Sequence, residues 1–140
     1  MFLKNCWYVA AEAREVSRTP LGRVLLGEPD GTAVLRELAA FDQRVASRLL
    51  RVELRRLGLR EGRLAAADQL LGGVSLLPVD EQLLATAETL PPAGVGTLDA
   101  LHLATALRLA GAGSLDALMT YDQRLAAAAA QHGVPVLAPS

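Results

Sequence analysis

The sequence predicts an α/β fold built on a mainly parallel sheet. Three observations carry that expectation. Short apolar runs at 74–79, 117–121 and 134–138 alternate with helical patterns over the last two thirds of the chain, the rhythm of strand–helix–strand units. Leu (28) and Ala (25) dominate the 140 residues while aromatics are 4%, a composition rich in helix formers. Half of the chain (51%) is apolar, enough to bury a core at this length and too much for a disordered chain.

Taken in order, residues 2–10 (FLKNCWYVA) read as a strand. Residues 12–27 are mixed, with Pro20 and Gly22 interrupting the periodicity, and Glu28-Pro29-Asp30-Gly31 is a turn signal. Residues 32–41 form a short helix with Val34, Leu35 and Leu38 on one side, and 44–46 a brief strand. Ser47 is a helix N-cap, and Leu50, Leu54 and Leu57 recur at helical spacing until Gly58 ends the run. Residues 64–71 are helical and closed by Gly72-Gly73, and 74–79 is a buried strand. Residues 80–90 are helical up to Pro91-Pro92. Thr97 caps a helix over 98–110 that Gly111 and Gly113 terminate. A strand at 117–121, a helix at 125–132 and a last strand at 134–138 complete the chain. There is no internal repeat and no long linker, so residues 1–140 are expected to be one domain.

The formal net charge is −1, but its distribution is uneven. Residues 44–63 hold seven arginines (44, 48, 51, 55, 56, 60 and 63) against Glu53 and Glu61. Residues 64–140 hold seven acids against Arg108 and Arg124. The basic segment is either a phosphate-contacting surface beside a carboxylate site or a solvated helix face paired with acids elsewhere. A lone cysteine, Cys6, excludes an internal disulfide framework and a multi-cysteine metal site. No apolar run reaches the roughly 18–20 residues of a spanning helix, and no signal-peptide layout is present, so a cytoplasmic protein without membrane partners is expected.

Three acids stand where an open parallel sheet gathers its chemistry, near strand ends and helix starts. Asp122 follows the strand ALMTY, Asp99 lies in the first turn of the helix after Thr97, and Glu53 sits inside the arginine-rich helix. Each has a purely structural alternative. Asp99 would favour the helix dipole, Asp122 would be a turn residue or cap the following helix, and Glu53 would pair with Arg56 or be a solvated i,i+4 partner. Together they suit Mg²⁺ or Mn²⁺, hard cations that take a few carboxylates plus waters. Other chemistries lack support. There is no Gly-rich phosphate loop, and Ser47, Ser75 and Ser114 have no nucleophile-elbow setting. His102 and His132 have no partner at ligand spacing, and His102 is read as a packed or partly exposed helix residue.

The stretches SRLLRVELRRL (47–57), LLPVDEQLLATA (76–87), TLDALHLATAL (97–107), LDALMTYDQRLAAAA (115–129) and GVPVLAP (133–139) resemble a PIN domain, in particular the VapC-type toxin ribonucleases of VapBC toxin–antitoxin systems. The resemblance covers roughly residues 25–140. It implies a three-layer α/β/α sandwich, Mg²⁺- or Mn²⁺-dependent cleavage of RNA, a homodimer and a cognate antitoxin. Matched by motif, Glu53, Asp99 and Asp122 are its metal-site and catalytic acids, and Thr120 is a phosphate or supporting contact. The family opens with a strand ending in an aspartate; counted back without a gap from LLGEPDG (25–31), that position is Ser17. Residues 1–24 are then an atypical segment in which the first acid is missing, unless Glu12 or Glu15 replaces it. Residues 1–29 also resemble the start of a Rieske-type oxygenase subunit, the two likenesses overlapping at LLGEP, but the Cys/His pairs of an iron–sulfur cluster are absent. The expected function is an impaired toxin endoribonuclease; the alternatives are a non-cleaving PIN-fold binding protein and a non-functional fusion.

Overall fold

Trp7–Val9 form the first strand, β1, in the middle of a five-stranded sheet. The structure is a computed structural model that describes residues 7–9 and 20–140. The other strands are β2 (Arg44–Ser47), β3 (Ser75–Leu77), β4 (Ala117–Met119) and β5 (Val136–Leu137). Their order is β3-β2-β1-β4-β5, and all four pairings are parallel. Trp7 lies opposite both Arg44 and Ala117, and Ser47 lies opposite Leu77. From β1 the chain builds outward through β2 and β3, then returns to the other side of β1 for β4 and β5. That reversal makes the carboxyl ends of β1 and β4 the place where a crevice opens.

Seven helices are described: α1 (Pro20–Leu25), α2 (Gly31–Ala39), α3 (Arg48–Arg60), α4 (Leu64–Leu71), α5 (Glu81–Glu88), α6 (Thr97–Gly111) and α7 (Gln123–Gln131). They cover both faces of the sheet. Successive strand residues point to opposite faces, and β4 shows the division. Met119 packs in one core with Leu21, Val34, Leu50, Leu54 and Leu71, from α1 to α4. Leu118 packs in a second core with Leu103, Ala106, Leu125 and Val134, from α6, α7 and the approach to β5. The expected three-layer sandwich is therefore present.

Polar caps set several helix starts. Ser47 accepts a hydrogen bond from the Leu49 amide (3.2 Å), Asp80 from Leu83 (2.8 Å) and Asp122 from Leu125 (2.7 Å), each satisfying a donor that the first turn leaves open.

Three expectations need correction. Pro20 and Gly22 do not break structure; Pro20 opens α1, where its fixed φ and missing N–H cost nothing. Gly58 does not stop α3, which runs on to Arg60. A Cβ there would stand 2.9 Å from Ala67 Cβ and 3.0 Å from the Arg63 carbonyl, so the glycine lets α4 dock closely on α3. Thr97 is the first residue of α6 rather than its cap, a place taken by Gly96. Cys6, Glu12, Glu15 and Ser17 lie outside the described residues. The position of β1 still bears on the counting: the strand ends at Val9, three residues before Glu12 and eight before Ser17.

Candidate active site

Asp99 sits in the first turn of α6 and Asp122 just past the carboxyl end of β4. Helix α6 begins on the side where strands end, because its far end feeds the start of β4. Asp99 is 8% exposed, and its Oδ1 is shut off from solvent with no hydrogen-bond partner. Asp122 is 1% exposed. Its Oδ1 is committed to the cap of α7, so its structural alternative is realised whatever else the residue does. Thr120 is also buried, and its Oγ1 accepts from the Asp122 amide (3.1 Å), which fixes the turn that presents Asp122.

Glu53 lies in the second turn of α3, and Leu50, Leu54 and Leu57 bury the helix around it. Both its carboxylate oxygens are sequestered, and neither has a hydrogen-bond partner among the described residues. It does not pair with Arg56. Instead Oε1 stands 3.5 Å from Nε2 of His102, which is wholly buried in α6 one turn beyond Asp99. The layers on the two faces of the sheet meet at this contact. In the sequence alone His102 reads as a packed or partly exposed helix residue, without a functional role. Its spacing of three from Asp99 was visible and puts both on one helix face, but Glu53 is 49 residues away and only the fold joins them.

A buried carboxylate that accepts no hydrogen bond is costly, and more so when a second stands near it. The donor set is what Mg²⁺ or Mn²⁺ takes, and Mg²⁺ is commonly held by one or two carboxylates with waters completing the shell. Glu53 and Asp99 each supply an unsatisfied carboxylate oxygen of that chemistry. Among the described residues no group of three His, Cys, Asp or Glu side chains comes close enough to hold an ion unaided.

The arginine-rich segment divides by use. Arg44 donates to the carbonyls of Gly73 (2.9 Å) and Leu38 (2.9 Å), Arg63 to that of Leu25 (2.6 Å), Arg55 pairs with Asp68, and Arg60 lies 3.5 Å from Glu61. Arg48, Arg51 and Arg56 make no such contacts among the described residues and are left for solvent or a ligand. Beside the acids, Tyr121 donates its hydroxyl to the Pro139 carbonyl, and the Arg23 guanidinium lies over its ring, 3.7 Å from the centroid. Burial, and then the Asp30 carboxylate, push the Tyr121 phenol above its usual range, with Arg23 acting the other way. A cavity of about 480 Å³ opens beside the amino ends of β2 and β3, lined by Arg44, Gly73, Ser75 and Ser114, at the edge away from the acids.

The PIN domain family matches residues 21–135. Ribonuclease VapC46 of Mycobacterium tuberculosis (strain ATCC 25618 / H37Rv) is 41% identical over 120 residues, 84% of this chain and 91% of that protein. Ribonuclease VapC47 (strain CDC 1551 / Oshkosh) is 34% identical over 126 residues, 85% and 91% of the two chains. Ribonuclease VapC35 is 37% identical over 99 residues, 68% and 72%. The likeness of residues 1–29 to an oxygenase subunit has no counterpart among these relatives, and the family match already includes LLGEP. A parallel sheet in the order 3-2-1-4-5, buried acids at its carboxyl edge and a family match over most of the chain agree: this protein belongs to the PIN domain family, in its VapC group.

Proposed function

We propose that this chain is a metal-dependent endoribonuclease, the toxin of a toxin–antitoxin pair, with Glu53, Asp99 and Asp122 as its metal-site acids. The observation that carries this is the set of sequestered carboxylate oxygens on Glu53 and Asp99 that no donor among the described residues satisfies. A bound Mg²⁺ or Mn²⁺ would supply Lewis-acid activation of a phosphodiester and of the attacking water. Thr120, whose oxygen already accepts from the Asp122 amide, keeps its hydroxyl proton to donate to a phosphate oxygen. Arg48, Arg51 and Arg56 provide cations for the RNA backbone. The names of the ribonuclease relatives support RNA as the substrate. The partners of this reading are an antitoxin protein and a second copy of the chain. Exposed Val52 and Leu59 on α3 and Leu35 on α2 supply apolar surface for such contacts.

The same reading makes the site weak. Strand β1 carries no carboxylate, and the first one after it is Glu12. Losing one ligand costs affinity or activity by at least the ~10–100-fold seen for supporting residues of metal sites. The test is Mn²⁺-dependent cleavage of bulk tRNA by the wild type, Asp99→Asn, Glu12→Gln and Ser17→Asp. Slow wild-type cleavage, lost in Asp99→Asn, is expected. Loss in Glu12→Gln identifies the replacement ligand, whereas a gain in Ser17→Asp identifies the missing one. Cleavage indifferent to Asp99→Asn would overturn the reading, and RNA or antitoxin binding without any cleavage would make the chain a binding protein.

A further inference from the structure

We propose that His102 is a positioning residue for Glu53: the buried ring on α6 fixes the Glu53 carboxylate of α3 so that it faces the ion held with Asp99. The inference rests on the metal-site reading above and deepens it. Three observations carry it. His102 is wholly buried, so its ring cannot swing to solvent. Its Nε2 stands 3.5 Å from Glu53 Oε1, and Glu53 makes no hydrogen bond that would orient it otherwise. His102 follows Asp99 by three residues, so one face of α6 carries an acid and, one turn on, the ring that meets the other acid.

The physical consequence is a restriction on Glu53. A glutamate has three side-chain torsions, and nothing on α3 selects among its rotamers: the neighbouring basic residues Arg55, Arg56 and Arg60 do not hold it. A buried imidazole in contact with one oxygen at 3.5 Å, beyond hydrogen-bond length, narrows that freedom by packing and electrostatics rather than by a bond, and leaves the second oxygen for a ligand. Such outer partners of metal-binding carboxylates typically contribute ~10–100-fold in metal affinity. The separation also spans the two layers of the sandwich, so His102 sets how far Glu53 stands from α6 as well as how it turns.

The test measures Mn²⁺ affinity by titration calorimetry, with thermal unfolding of each variant as the control for folding. His102→Leu, which fills the space without a polar atom, should weaken Mn²⁺ binding about tenfold or more, and His102→Gln, which returns a donor near the Nε2 position, should restore it to within about threefold. In a double-mutant cycle, adding His102→Leu to Glu53→Gln should cause no further loss, because His102 acts through Glu53. Additive losses would overturn the inference, as would a folded His102→Leu that binds Mn²⁺ like the wild type while Glu53→Gln does not. If Glu53→Gln itself leaves Mn²⁺ affinity unchanged, the metal-site reading falls first and takes this inference with it. Wild-type protein gives a reading that no substitution can spoil. With only two histidines in the chain, ¹⁵N imidazole resonances are readily assigned, and Mg²⁺ should shift the His102 ring but not that of His132. An unmoved His102 signal at saturating Mg²⁺ would sink the proposal.

Discussion

Replacing Glu53 by methionine should stabilise the metal-free protein and destroy its response to Mn²⁺. Two effects of opposite sign compete at this position. Both Glu53 oxygens are cut off from solvent with no donor, and an unsatisfied buried polar group costs about 1–3 kcal/mol. Against this stands the His102 contact, since breaking a well-formed buried ion pair costs about 3–5 kcal/mol. Geometry decides between them. The Nε2–Oε1 separation of 3.5 Å lies beyond the 2.7–3.2 Å of an N–H···O hydrogen bond, so the pair is not well formed. Desolvation therefore wins. The side chain is 16% exposed, which lowers the gain toward one group's worth, about 2 kcal/mol. Methionine has similar length and helix propensity, so no cavity term enters. For a domain of this size 2 kcal/mol raises Tm by roughly 6–8 °C. Saturating Mn²⁺ at 100 times Kd should add about 2.7 kcal/mol to the wild type and nothing to the variant, which reverses the order of the two melting curves. The assay is thermal unfolding by circular dichroism in EDTA and again in Mn²⁺. A Glu53→Met protein that melts below the wild type in EDTA would refute the reasoning and show that His102 already compensates the buried charge.

Other expectations follow from the caps and the charges. Asp122→Ala should cost about 1–2 kcal/mol by uncapping α7, while Asp122→Asn keeps an acceptor for the Leu125 amide and should stay near wild-type stability yet lose the Mn²⁺-induced shift in Tm. Two hydrogen bonds from Arg108, and then the Leu83 amide, hold the Asp80 carboxyl at about 2, below its ordinary 3.8. A depressed folded-state pKa contributes stability that is complete above 3.8 and is lost as pH falls toward 2, so Asp80→Asn should flatten the acid-unfolding curve in that window, and added salt should shrink the difference because the pair is exposed. Replacing Arg48, Arg51 and Arg56 together by glutamine should reduce the salt dependence of single-stranded RNA binding by about two units of log–log slope, whereas Arg63→Gln, which frees the Leu25 carbonyl, should lower stability instead.

Much of the architecture was legible because local chemistry and fold agree. Ser47 and Asp122 cap the helices that follow them, Leu50, Leu54 and Leu57 face the core of α3, and each apolar run supplies a strand, shorter than expected. Where the reading failed, a residue served tertiary packing rather than local geometry. Gly58 looks like a helix stop, yet it is the hole into which Ala67 fits, a fact that depends on α4. Asp99 and Asp122 do stand at a helix start and past a strand end, as their places in the sequence suggest, and Glu53 lies inside its helix. Their partners were not legible: Glu53 meets His102 rather than Arg56, and Arg44 and Arg63 spend their charge on backbone carbonyls, which no pattern of side chains marks.

The position of β1 also governs the order in which the molecule can assemble. Its backbone is paired on one side with Arg44 and Val45 and on the other with Ala117 to Met119, so one flank closes across the segment that carries α1 and α2 and the other only across most of the chain. During synthesis the first flank can be occupied early, whereas the second stays an open edge until β4 has emerged. The contact that seals it is the one that delivers Thr120 and Asp122 to the carboxyl edge. Sheet closure and completion of the acidic edge are thus a single late event, and a growing chain carries an open, aggregation-prone edge until that event has happened.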